Sequence, residues 1–203
     1  MSQRENAPPV ELDIVPLAAA DVDKLEFRRI TVHGRFRTDW PVYLDNRPHN
    51  GVAGFHVLMP LKIAGTDMHV LVARGWLPRN PVDRTRIAAY TTPEGIVEVR
   101  GVARRNSGHV MQLGAIEPLR PGAIVQNVDL SALAQAGKFA LQPLVVEQID
   151  GADDGLVRDW LRPSSGVDKH LGYAFQWFAL AATAFIFFLV TGFRGSSRDD
   201  AAK

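Results

Sequence analysis

From Leu171 to Phe193 the chain carries no charged residue, and this run restricts the fold more than any other feature. As an α-helix it would be roughly 34 Å long, against a hydrocarbon core of about 30 Å. Its Leu, Ile, Phe and Val residues each favour insertion by about 0.3–0.6 kcal/mol, which together outweighs the cost of Gln176. Tyr173 and Trp177 stand near one end, as aromatic residues do at a membrane surface, and Arg194 closes the other. The pattern predicts a transmembrane helix over 171–193 followed by a polar tail at 194–203. Arg158, Arg162 and Lys169 before the helix balance Arg194, Arg198 and Lys203 after it, so charge does not orient it.

Ahead of the helix the signals are short alternating runs punctuated by Gly and Pro. Ile30, Val32 and Phe36 share one face of a strand, with Arg29, Thr31, His33, Arg35 and Arg37 on the other. Phe55 to Ile63 and Met68 to Trp76 read as strands joined at Ala64-Gly65-Thr66. Ile96 to Ala103 alternates again, and Phe139 to Ile149 reads as a strand that Pro143 would confine to an edge. Short helices are expected over Ser131–Ala136, capped by Asp129 or Ser131, and over Asp83–Tyr90. The expected fold is mainly β with short helices, an antiparallel barrel or sandwich, plus one C-terminal transmembrane helix. Its parts are an extended N-terminal lead-in over 1–24, a β-rich extramembrane domain over 25–149, and a Gly- and Asp-rich linker over 150–170 leading to the membrane.

Composition narrows the chemistry. There is no cysteine, which excludes disulfides, thiolate metal sites and cysteine nucleophiles. A net charge of +1 with 22% charged residues provides no basic field for nucleic acid. Nucleophile elbow, zinc-helix, phosphate-loop and dinucleotide motifs are all absent, so no enzyme activity is expected. Asp150 to Gly155 has acids at the wrong offsets for a calcium loop and reads as a solvated turn. Gly51 and Gly54 mark a turn or a close backbone approach. Arg74 could bind a carboxylate, including a haem propionate, or pair with a local acid. Trp76 reads as a packing residue. His170, Tyr173 and Trp177 follow helical spacing at the mouth of the membrane segment. A neutral imidazole there could ligate iron or simply cap the interface.

The stretches Arg29-Ile-Thr-Val-His-Gly-Arg-Phe36, the Gly51/Gly54 pair with Pro60-Leu61, Val70-Leu-Val-Ala-Arg-Gly-Trp-Leu-Pro78, Val82-Asp-Arg-Thr-Arg86, Gly95 to Arg104 and Val167-Asp-Lys-His-Leu-Gly-Tyr-Ala-Phe-Gln-Trp-Phe-Ala-Leu-Ala181 occur in that order, the last running into the terminal helix. In this order they resemble the Surfeit-one family of cytochrome c oxidase assembly factors, bacterial type. The resemblance implies a membrane-bound, non-enzymatic factor that supports haem a delivery to, or insertion into, subunit I of a haem–copper oxidase. It makes His170 the candidate haem a ligand, with Tyr173 and Trp177 beside it and Arg74 as a weaker contact. It implies subunit I and a haem a synthase as partners, along with membrane lipid, and an inner-membrane location with the domain in the periplasm. A scaffold that holds subunit I without touching haem, or an unrecognised membrane-tethered enzyme, are the alternatives. As read, the family's N-terminal membrane helix is absent from this chain. Its Phe-x-Pro and Asn-x-Trp elements have no counterpart between Asn106 and Val128.

Overall fold

The computed structural model describes residues 7–12, 17–111, 117–151, 153–160 and 173–187. The chain divides into two compact units, Met1–Trp160 and Leu161–Lys203.

In the first unit, β2 (Arg29–Phe36), β4 (Gly54–Ile63), β5 (Met68–Pro78), β6 (Val97–Arg104) and β8 (Ala140–Gln148) form a closed circuit in the order β2-β6-β8-β5-β4-β2. Closure comes from the last turn of β2, where Gly34, Arg35 and Phe36 pair with Ile63, Lys62 and Leu61. Gly34 is required there. A Cβ at that position would lie 2.3 Å from the Lys62 carbonyl. Inside the barrel, Ile30, Val32 and Phe36 meet Met59, Leu61, Val70, Val72, Val99, Leu144 and Val146. The alternation expected for β2 holds: its apolar residues face inward and Arg29, His33 and Arg35 stay outside.

β4, β5 and β8 behave differently because both their faces are covered. On the outside, Leu58, Leu71, Ala73 and Val145 pack under β3 (Val42–Leu44), β7 (Ile124–Val125) and helix α2 (Leu130–Gly137), whose Leu133 is fully buried. This double burial explains why the Phe55–Ile63 and Met68–Trp76 runs are nearly continuously apolar rather than alternating. Their connection uses Gly65 at φ +77°, where an L side chain would be strained.

Several expectations are corrected. The sheet is mixed rather than antiparallel, because β5 and β8 run parallel. β8 is a central strand, bonded to β5 and β6. Pro143 is tolerated because the β5 register skips there, from His69↔Leu141 to Leu71↔Val145, so its missing N–H breaks no ladder bond. The residues before Leu25 are not merely extended. β1 (Val10–Glu11) pairs parallel with β2, Leu12 is buried, and helix α1 (Ala19–Leu25) places Val22 in the core. The Leu17 amide donates to the buried Gln142 side chain, which ties this segment to β8. Asp83–Tyr90 is not helical, since Asp83 and Asn80 turn their side chains onto the local backbone instead. Helix α2 begins as expected, with the Asp129 carboxylate accepting from the Ala132 amide.

The second unit contributes one described helix, α3, over 173–187. Among the described residues no helix is long and apolar enough to cross a membrane. Of the segment predicted as the span, residues 171–172 and 188–193 lie outside the described residues.

Candidate functional site

The sequence-selected residues fall in different places. Arg74 sits on β5 beside the barrel interior, about 1% exposed. Its guanidinium lies over the Phe36 ring at 4.7 Å and near Tyr90 at 5.7 Å. It donates to Thr92 Oγ1 at 2.5 Å, to the Thr91 carbonyl at 3.1 Å and to Asp154 Oδ2 at 2.9 Å. Asp154 also pairs with Arg158 and accepts from the Leu156 amide. Burial pulls the Arg74 pKa below its ordinary value, against the pull of Asp154. Of the two roles left open by the sequence, the geometry displays the pairing with a local acid.

This brace exists because the chain after β8 folds back. Residues 154–158 cross β5 at Gly75, where a Cβ would come within 2.8 Å of Leu156 Cβ and 2.9 Å of the Val157 carbonyl. Trp76 and Val157 then exchange backbone hydrogen bonds at 2.7 and 3.0 Å. Asp150–Gly155 is therefore not simply a solvated turn, for its Asp154 is buried against Arg74.

Next to the brace is a second cluster. The Asn50-Gly51 turn has φ of +47° and +79°, as a tight two-residue hairpin requires, and closes the His49–Val52 bridge. It lays the His49 ring 5.1 Å from Trp76, whose indole N–H donates to the Arg47 carbonyl at 2.7 Å. Gly54 permits this. A Cβ there would fall 2.3 Å from the Trp76 indole nitrogen. The buried Arg47 guanidinium donates to the carbonyls of Asp45, Asn46, Gly108 and Gln126, stitching two loops together. His56 packs edge-on against Trp160 at 5.1 Å. Burial, reinforced by Arg47 and His49, lowers its pKa to about 4, so its imidazole is neutral at neutral pH.

Between β7 and α2 lies an open cleft of about 1,090 Å³ whose walls include Asp45, His109, Glu117 and Asp129. Two of its acids are already engaged, Asp45 with Arg79 and Asp129 as the α2 cap. Among the described residues no group of three or more His, Asp or Glu could hold a metal ion.

In the second unit, Tyr173 and Trp177 stand one turn apart on α3, 66% and 69% exposed. Phe175, Phe178, Leu180 and Phe185 are also uncovered. His170 lies outside the described residues. Sequence reasoning missed Asp154, Arg158, Arg47 and Tyr90 as partners. The only available signal was an isolated acidic cluster following the last strand.

Geometry thus defines a small mixed β-barrel whose conspicuous cations are internal braces, followed by a separate aromatic helix. The SURF1 family profile matches residues 1–182, and the chain belongs to that family. A SURF1-like protein of Dictyostelium discoideum is 23% identical over 204 residues, spanning 83% of this chain and 73% of its own length. Surfeit locus protein 1 of Takifugu rubripes is 24% identical over 216 residues, 93% of this chain and 82% of its own. The Xenopus tropicalis Surfeit locus protein 1 is 25% identical over 209 residues, 92% of this chain and 64% of its own.

Proposed function

We propose that this chain is a non-enzymatic, membrane-held assembly factor for a haem–copper cytochrome c oxidase, supporting haem a delivery or insertion at subunit I. The observation that carries the reading is the family match, which runs through the barrel and onto the aromatic helix. A run of uncovered Phe, Trp and Leu side chains on α3 supports a lipid environment, because exposed apolar surface of that kind is otherwise costly in water. In this reading the 171–193 segment spans the inner membrane and the barrel lies on the periplasmic side. Subunit I and a haem a synthase are the protein partners.

Haem a is cargo here. Tyr173 and Trp177 offer uncovered ring faces suited to a flat macrocycle, and His170, just before them in sequence, supplies the candidate iron ligand. Arg74 does not serve as a propionate partner in this scheme, since both terminal nitrogens of its buried guanidinium already bond Asp154, Thr91 and Thr92. That commitment favours, as the second reading, a scaffold that holds subunit I without touching haem.

The test is an absorption spectrum of the full chain purified in detergent from cells that make haem a. A haem a spectrum that falls at least about tenfold in His170→Ala supports the carrier reading. A haem-free wild type that still co-purifies with subunit I supports the scaffold. Neither haem nor subunit I would refute both.

A further inference from the structure

Between the end of β5 at Pro78 and the start of β6 at Val97, the chain forms a connection with no helix or strand. Loops this long in a small barrel are uncommon, and those that are ordered usually carry function. The two halves of this one are built differently. Its second half is fixed to the barrel. Ile87 packs against the cluster of Phe55, Leu77 and Leu156, the Tyr90 hydroxyl meets the Tyr43 hydroxyl at 3.1 Å, and Thr91 and Thr92 accept from Arg74.

The first half projects as an arch with every residue from Pro81 to Arg86 exposed. The arch is nevertheless internally braced. Asn80 Oδ1 accepts from the Val82 and Asp83 amides, both at 2.9 Å. Asp83 Oδ1 accepts from the Thr85 amide at 2.9 Å and its hydroxyl at 2.7 Å. The Arg86 amide donates to the Asp83 carbonyl at 3.2 Å. These bonds engage one oxygen of the arch's single acidic side chain, Asp83, which stays exposed and leaves the two arginines in excess by one charge. They leave Val82 at the tip, 93% exposed, beside Arg84 and Arg86, neither of which has a side-chain hydrogen bond or ion pair among the described residues. Asn80 and Asp83 thus supply an ordered backbone that contributes nothing to the core.

We infer that the 80–86 arch is a docking surface for an acidic protein segment, with Arg84 and Arg86 receiving carboxylates around a small apolar contact at Val82. Pre-ordering is what such a surface gains from, because a rigid loop loses little conformational entropy when it binds. Arginine is the cation suited to bidentate pairing with carboxylates. A lipid surface is the poorer match. Juxtamembrane lipid binding draws on about four to eight clustered cations, and the arch offers two cations and no aromatic anchor.

The experiment places a photo-crosslinking benzoylphenylalanine at position 82 of the full chain in its native membranes, with Ile96, 66% exposed on the same unit, as the control position. The expected result is an adduct to a protein peptide rich in Asp or Glu, reduced about tenfold by Arg84→Glu/Arg86→Glu while the melting temperature is unchanged. Arg29→Glu/Arg35→Glu, which reverses two exposed cations on β2, should leave the adduct intact. Lipid adducts, a yield no higher than from position 96, or insensitivity to the arch charge reversal would each overturn the proposal. Adducts that pass these tests support the arch whatever protein bears them. If that protein is not an oxidase subunit, it is the assembly reading that loses support.

Discussion

Asp154 is the residue on which the barrel end depends most, because one carboxylate serves two buried cations. Arg74 is about 1% exposed, and the Arg158 and Asp154 side chains are 10% and 9% exposed. Replacing Asp154 by Ala removes both ion pairs at once and leaves Arg74 with only Thr92 Oγ1 and the Thr91 carbonyl. Stranding one buried charge in this way costs about 3–5 kcal/mol, and the low exposure leaves little solvent screening to soften it. A domain of this size has about 5–15 kcal/mol of stability in all, so the loss should lower the melting temperature by about 10 °C. Asp154→Asn, which keeps the shape and the bond to the Leu156 amide, should lose nearly as much if charge is the cause. The triple substitution Arg74→Met/Asp154→Leu/Arg158→Met should recover most of the loss, because an apolar replacement removes the desolvation penalty along with the pairing. Denaturant and thermal unfolding of the detergent-solubilised chain would measure all three. A loss below about 1 kcal/mol for Asp154→Ala would refute the view that this brace is stabilising.

Gly54→Ala should destabilise by about 1–3 kcal/mol and change the Trp76 fluorescence, because the new methyl would collide with the indole and with the Leu77 carbonyl. An unchanged emission spectrum and unfolding midpoint would count against that packing. The folded-state pKa of His56 lies at about 4, below the ordinary 6.5, so over the intervening range the unfolded chain binds the extra proton. Its contribution is present above about pH 6.5 and is lost as the pH falls toward 4, by at most about 3 kcal/mol. His56→Phe should flatten that part of the stability–pH profile, and an unaltered slope would exclude His56 as its source.

Much of the barrel was legible because its strands carry their own periodicity. β2 alternates cleanly, the Ala64-Gly65-Thr66 break marks a hairpin, and Asp129 precedes a short apolar helix that it does cap. The strands that escaped notice are two or three residues long, namely β1, β3 and β7. A segment that short has no period to read and becomes a strand only by pairing with a neighbour already in place. Pro143 misled for a related reason. A proline predicts an edge unless a register skip removes the need for its N–H, and that skip belongs to the pairing of β8 with β5. At the candidate site, Arg74 stood out as a cation among apolar residues. Its partner Asp154 is eighty positions away, and no local pattern links them.

The charge-free run from Leu171 to Phe193 and the ordered set of motifs leading into it belong to the sequence alone, because hydropathy and residue identity are local properties. From them come the expectation of a membrane helix and the resemblance that the family match bears out. The closure of the barrel, the fold-back of residues 154–158 across Gly75, and the commitment of Arg74 to an internal brace were decided only in three dimensions. Each depends on contacts between residues far apart in the chain. Whether a buried cation is a ligand or a brace rests on which acid the fold brings to it.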